Sequence, residues 1–192
     1  MEGPLEVLSQ VTRALEEYGV TYVVVGSFAS SMRGLYRTTA DIDIVADIRP
    51  EHVRPLVTAL QEKFYVDEQA VRRAVTRHGS FNAIHFDAVF KVDVFVARDD
   101  EFGRQQLARR RAEKITPEAA QEFYVATAED TILAKLLWYR SGGEVSRVQW
   151  ADMLGVIGTQ GVALDVEYLR EWADRLGVQD LLEKLLAEAG PV

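Results

Sequence analysis

The segment Asp41-Ile42-Asp43-Ile44-Val45 constrains this chain most strongly. Alternating polar and apolar residues mark a strand with one buried face, so Asp41 and Asp43 stand on one side and Ile42 and Ile44 on the other. Aspartate is depleted in strands, and taking one unpaired carboxylate out of water costs several kcal/mol. A chain with this segment must build a sheet that closes an apolar core on one face. Its other face must stay wet or gather positive charge. A third aspartate, Asp93, interrupts the apolar run 92–96 in the same way. The plain alternative is the solvated outer face of a strand at the sheet edge. A divalent cation is the functional one. Oxygen ligands without thiols favour Mg2+ or Mn2+, the ions that paired carboxylates hold for displacement at phosphorus.

The surrounding pattern supplies the rest of a mixed α/β domain. Apolar spacing predicts a helix over 4–18, stopped at Gly19, then a strand over 21–25 that breaks at Gly26-Ser27, and a short helix over 28–32. A helix over 50–63 and another over 71–76 follow, then two strands over 81–86 and 89–96 that turn at Asp87-Ala88. A helix over 99–110 and short strands at 114–115 and 123–125 complete this half. From Thr127 onward the pattern is helical only, over 127–139, 145–157, 165–176 and 178–189. The expected organisation is a mixed α/β core over 1–126 with a helical region over 127–192 packed on it.

With 192 residues, 48% of them hydrophobic, the chain can bury a full core. The 30 acidic against 22 basic residues, a net charge of −8, exclude bulk positive charge as a means of coating nucleic acid. The clusters Arg72-Arg73 with Arg77-His78, and Arg104 with Arg109-Arg110-Arg111, are local basic patches that fit either an RNA backbone or solvated helix faces. The absence of cysteine excludes disulfides, thiolate zinc sites and cysteine nucleophiles. No run approaches a membrane span and the first residues lack a leader pattern, so the expected setting is cytoplasmic, with no membrane partner. His52, His78 and His85 lack metal-ligand spacing and read as structural, and Trp138, Tyr139, Trp150 and Trp172 read as core.

The strand-turn-helix at Val25-Gly26-Ser27, the pair Asp41-Ile42-Asp43-Ile44 and the later Asp93 together resemble the signature of the nucleotidyltransferase superfamily. The segment Gly34-Leu35-Tyr36-Arg37-Thr38-Thr39-Ala40-Asp41-Ile42-Asp43 is similar to AbiEii-type bacterial nucleotidyltransferases, which are toxins of toxin–antitoxin pairs. In the second half, Ala128-Glu129-Asp130-Thr131-Ile132-Leu133-Ala134-Lys135-Leu136 resembles their helix with an essential lysine. Asp152 in Val148-Gln149-Trp150-Ala151-Asp152 resembles their following helical aspartate. The toxins place an Arg and a Lys-Asp or Arg-Asp pair before that aspartate. This chain has Arg140 and then Arg147 at greater spacing.

The resemblance implies a nucleotidyltransferase fold: a short mixed sheet flanked by helices, with a C-terminal helical part. It implies transfer of a nucleoside monophosphate from a nucleoside triphosphate such as ATP to an acceptor hydroxyl, with release of pyrophosphate. The acceptor would be tRNA, a protein or a small molecule, and a cognate antitoxin is an implied partner. Asp41 and Asp43 would hold the metal, and Asp93 would complete a second site and help deprotonate the attacking hydroxyl. Gly26 and Ser27 would bind phosphate, with Ser27 alternatively capping the next helix. Arg37 would contact phosphate or tie down the turn. Lys135 would meet the triphosphate, an ion-pair partner such as Asp130 or Asp152, or solvent; Asp152 would orient Lys135 or the ribose, or stand exposed. A catalytically silent nucleotide- or partner-binding module of the same fold is the rival.

Overall fold

Helix α1 (Pro4–Glu17) starts on a proline, whose missing N–H costs nothing at that position. It buries Val7, Leu8, Val11, Ala14 and Leu15 along one stripe and ends before Gly19, which takes φ +70. The computed structural model describes residues 3–26, 41–88, 90–114 and 121–190. The expected helix at 28–32, Ser27 and Arg37 lie outside these residues, as does the side chain of Asp41.

Seven strands among the described residues form one mixed sheet: β1 (Tyr22–Val25), β2 (Asp41–Ala46), β3 (Phe64–Tyr65), β4 (Ser80–His85), β5 (Lys91–Val96), β6 (Arg111–Lys114) and β7 (Glu122–Val125), in the order β3-β4-β5-β2-β1-β7-β6. The pairs β2/β5 and β1/β7 are parallel, and the others are antiparallel. Alternation along β2, β4 and β5 decides the faces. Ile42, Ile44, Phe81, Ala83, Val92 and Val94 are buried, while Asp43, Asn82, Lys91 and Asp93 point the other way and keep solvent access. Helices α2 (Pro50–Leu60), α3 (Glu68–Arg77) and α4 (Glu101–Arg109) complete this unit, α3 packing on β4 and β5, and α4 on β1. On the face of Asp43, Val23, Val25 and Ala126 form a cluster that Val45 and Leu107 of α4 join.

Two helix boundaries need correction, and one strand is new. Helix α2 stops at Leu60, not Lys63, because the chain turns there to lay Phe64–Tyr65 against β4. Two residues carry no periodicity, so β3 leaves no mark in the sequence. Helix α3 begins earlier than expected, at Glu68, because the Asp67 side chain accepts the Ala70 N–H at 2.7 Å and caps it.

The remaining helices form a second compact unit, residues 127–190, distinct from the unit of 3–26 and 41–126. They are α5 (Ala128–Ser141), α6 (Arg147–Gln160), α7 (Val166–Arg175) and α8 (Gln179–Ala189), with a 3-10 turn at Gly161–Ala163. Within the unit α5 packs on α6 and α7, and α8 on α6 and α7. Thr127, Ser146 and Asp165 cap α5, α6 and α7 by accepting the N–H groups of Asp130, Gln149 and Tyr168. Trp172 is buried as expected. Trp138 is 38% exposed, because the face of α5 that carries it turns outward beyond Leu136.

Candidate active site

The two halves of the sheet bring separate carboxylates side by side. Strands β2 and β5 run parallel with Asp43 directly opposite Asp93 and Asp41 opposite Lys91. On the outer side of Asp93, β4 places Asn82 opposite it, and on the inner side of Asp43, β1 places Val25. One row across the open face therefore reads Asn82, Asp93, Asp43, Val25. Adjacent strands are about 4.8 Å apart, and two unit charges at that distance repel by about 3 kcal/mol at an effective dielectric of 20. Such a pair persists only with compensating charge.

Part of that charge is built in. The Lys91 ammonium lies 2.8 Å from Asp93 Oδ2, and the Asn82 amide donates to Asp93 Oδ1. Asp43 is instead shaped by the backbone. Gly26, which ends β1, has φ +73, and a Cβ added there would fall 2.1 Å from Asp43 Oδ2. The glycine thus serves two purposes: it admits the left-handed turn, and it leaves room for the carboxylate against the chain.

No group of three or more His, Cys, Asp or Glu side chains gathers to hold a metal among the described residues. Asp43 and Asp93 contribute two hard oxygen donors in register, and the backbone of Asp41 sits one pleat along the same face. An anionic face that already draws in a lysine fits a divalent cation in charge and in ligand chemistry. Sequence reading named both aspartates and Gly26 but not Lys91 and Asn82, which the structure brings beside them. The signal for Lys91 was present, since residues two apart on a strand share a face.

The helical unit holds Lys135 and Asp152. Lys135 is 6% exposed on α5, and its Nζ lies 3.5 Å from Asp152 Oδ2 on α6. Of the partners expected for Lys135, this structure provides Asp152 and not Asp130. Asp130 is fully buried and accepts the Tyr168 hydroxyl at 2.7 Å, while Glu129 accepts the Asp165 N–H at 3.1 Å. Acids in the first turn of a helix favour its dipole, and here they also tie α5 to α7. Arg140 is committed to α8, with its guanidinium 2.6 and 2.7 Å from the two Asp180 oxygens and 2.9 Å from the Gly177 carbonyl. That hydrogen bond, with the charge behind it, holds the Asp180 carboxyl below its ordinary range.

Where the structure reaches the remaining polar residues, it gives them local partners. His52 and His85 accept backbone N–H groups through Nδ1, and the His78 Nδ1–H donates to the Ala97 carbonyl. Arg72 pairs with Glu68 and Arg104 with Asp99, while Arg110 stacks on Tyr124. No described helix is long and apolar enough to cross a membrane.

The sequence matches, over residues 5–171, the model of a family described as nucleotidyltransferase of unknown function, DUF6036. The chain belongs to this nucleotidyltransferase family. No protein of curated function matches the sequence. Among solved structures, the nucleotidyltransferase is similar to the antibiotic-resistance factor ANT(2″)-Ia in solution, with TM-score 0.59, 15% identity, and coverage of 93% of this chain and 95% of that one. It is similar to ANT(2″)-Ia in complex with adenylyl-2″-tobramycin at TM-score 0.53, 18% identity and coverage of 86% and 93%. An antigenic nucleotidyltransferase-like protein from Paracoccidioides brasiliensis gives 0.52, 15%, 96% and 92%. At these identities the likeness is one of fold, and it matches the architecture that the resemblance implies: a mixed sheet flanked by helices.

Proposed function

We propose that this protein is a metal-dependent nucleotidyltransferase that moves a nucleoside monophosphate from a nucleoside triphosphate to an acceptor hydroxyl. The observation that carries the reading is the in-register pair Asp43 and Asp93 on the open face, beside the glycine turn at Gly26. Asp41 and Asp43, with Asp93, would hold Mg2+ or Mn2+. A divalent ion bound there supplies charge neutralisation for the phosphates and a lowered pKa for a bound hydroxyl. The amides after Gly26, with Ser27 and Arg37, receive the phosphates.

In the transfer the acceptor oxygen bonds to the α-phosphorus as the bridge to the β-phosphate breaks. Pyrophosphate leaves with that electron pair, and the hydroxyl proton passes to Asp93. Because the phosphate turn follows β1 and Asp93 stands on β5, the acceptor approaches from β4 and β3, where Asn82, Ile84 and Tyr65 are exposed. Lys135, oriented by Asp152, is assigned to the triphosphate. Catalysis rests on positioning and on charge rather than on a covalent intermediate.

The test is incubation of the protein and Mg2+ with each of four labelled triphosphates and, separately, total RNA, cell protein, and aminoglycoside or lincosamide acceptors. Label in one fraction identifies nucleotide and acceptor together. Calorimetric binding of nucleotide with no transfer to any acceptor would favour a silent nucleotide-binding module. Growth arrest on expression, relieved by a neighbouring gene, would extend the AbiEii-like resemblance to a toxin and its antitoxin.

A further inference from the structure

We infer that Lys91 is the resident cation of the Asp93 carboxylate, a positioning residue that competes with a divalent ion for it while the protein is free of nucleotide. The inference rests on the nucleotidyltransferase reading for the presence of that ion. Three observations carry it. The Lys91 Nζ stands 2.8 Å from Asp93 Oδ2, a distance at which no ion fits between them. The other oxygen, Oδ1, receives the Asn82 amide, so each carboxylate oxygen has a protein donor of its own. Register places Lys91 opposite Asp41 and one pleat from the Asp43–Asp93 row, on the face that carries those aspartates.

The pair is also arranged to come apart. The Asp93 side chain is only 18% exposed, but that of Lys91 is 39% exposed. Lys91 can swing to solvent at small desolvation cost, whereas Asp93, held by Asn82, stays where it is. A lysine so placed holds Asp93 in its working position and offsets the repulsion from Asp43 until a metal arrives with the nucleotide. The consequence is a carboxylate face that binds metal weakly alone and more tightly once the triphosphate adds its own oxygen ligands.

The experiment is titration of nucleotide-free protein with Mn2+, followed by calorimetry and by the spin-resonance signal of free Mn2+, with thermal unfolding confirming each fold. Lys91→Gln should bind Mn2+ about tenfold more tightly than the native protein, the scale for removing a half-exposed cation beside a ligand. Lys91→Arg should keep the native affinity. In an Asp93→Asn background, Lys91→Gln should change affinity by less than about twofold, since the shared carboxylate is gone. Equal Mn2+ affinity in Lys91→Gln and native protein, or the same gain with and without Asp93, overturns the inference. Because no nucleotide or turnover enters these measurements, failure of the transfer assay leaves their outcome readable, and the reverse also holds.

Discussion

Gly26→Ala separates two roles that one glycine fills. The first is backbone freedom: at φ +73 an L-residue costs about 1–2 kcal/mol, partly offset by the lower entropy of the unfolded alanine chain. The second is space. The new Cβ would fall 2.1 Å from Asp43 Oδ2, and ordinary contact begins at 3.4 Å, so the carboxylate must retreat by about 1 Å. Rotating Asp43 off its rotamer adds about 1 kcal/mol. The total, about 2–3 kcal/mol, corresponds to a fall in Tm of about 5–10 °C for a chain of this size. The effect on turnover is larger, because a misplacement of about 1 Å at a reacting centre costs about 100-fold. Gly19→Ala is the control: φ is +70 and a Cβ there meets nothing within 4 Å. It carries the backbone term alone, about 1 kcal/mol, with unchanged kcat. Thermal unfolding and nucleotide transfer are measured for both. If Gly26→Ala transfers as well as Gly19→Ala, the close approach of backbone to Asp43 has no part in catalysis.

Three further outcomes follow from the helical unit. Tyr168→Phe removes the donor to the fully buried Asp130 and should lower unfolding stability in urea by about 1–3 kcal/mol; an unchanged midpoint would show that the 2.7 Å hydrogen bond contributes nothing net. Because Arg140 depresses the Asp180 pKa, the unfolded state binds more protons in that range, and the stability gained from the pair is present above the ordinary value of 3.8 and lost as pH falls through the depressed one. The Tm advantage of native protein over Arg140→Met should therefore be constant from pH 7 to 5 and shrink below about pH 4; an advantage independent of pH would contradict this. Lys135→Met should lower kcat/KM for the triphosphate about 100-fold, whereas lost stability with full turnover in the folded fraction would reduce Lys135 to the structural partner of Asp152.

What the sequence made legible follows from the range of the interactions involved. The alternation in residues 41–45 and 92–96 gave strands, faces and carboxylates together, because a period of two is local and survives any tertiary context. Thr127 and Asp165 likewise announce helix starts within three residues, whereas the Asp67 cap of α3 went unread. What escaped is set by pairing across the sheet or between helices. Asn82 comes beside Asp93 only when β4 and β5 pair, and Lys91 beside Asp41 only when β5 and β2 do. Tyr168 meets Asp130 across 38 positions, and Arg140 meets Asp180 across 40. Trp138 lies among leucines in the sequence, yet periodicity alone left undecided which side of α5 would be covered.

The central claim is nucleotidyl transfer directed by the paired carboxylates, and two labels on one triphosphate test it most directly. With Mg2+ and the acceptor fraction that accepts label, α-phosphate label should move to the acceptor and γ-phosphate label should appear as pyrophosphate. Asp43→Asn, folded by thermal unfolding, should do neither. Transfer of the γ-label to the acceptor, or undiminished α-transfer by Asp43→Asn, would contradict the account.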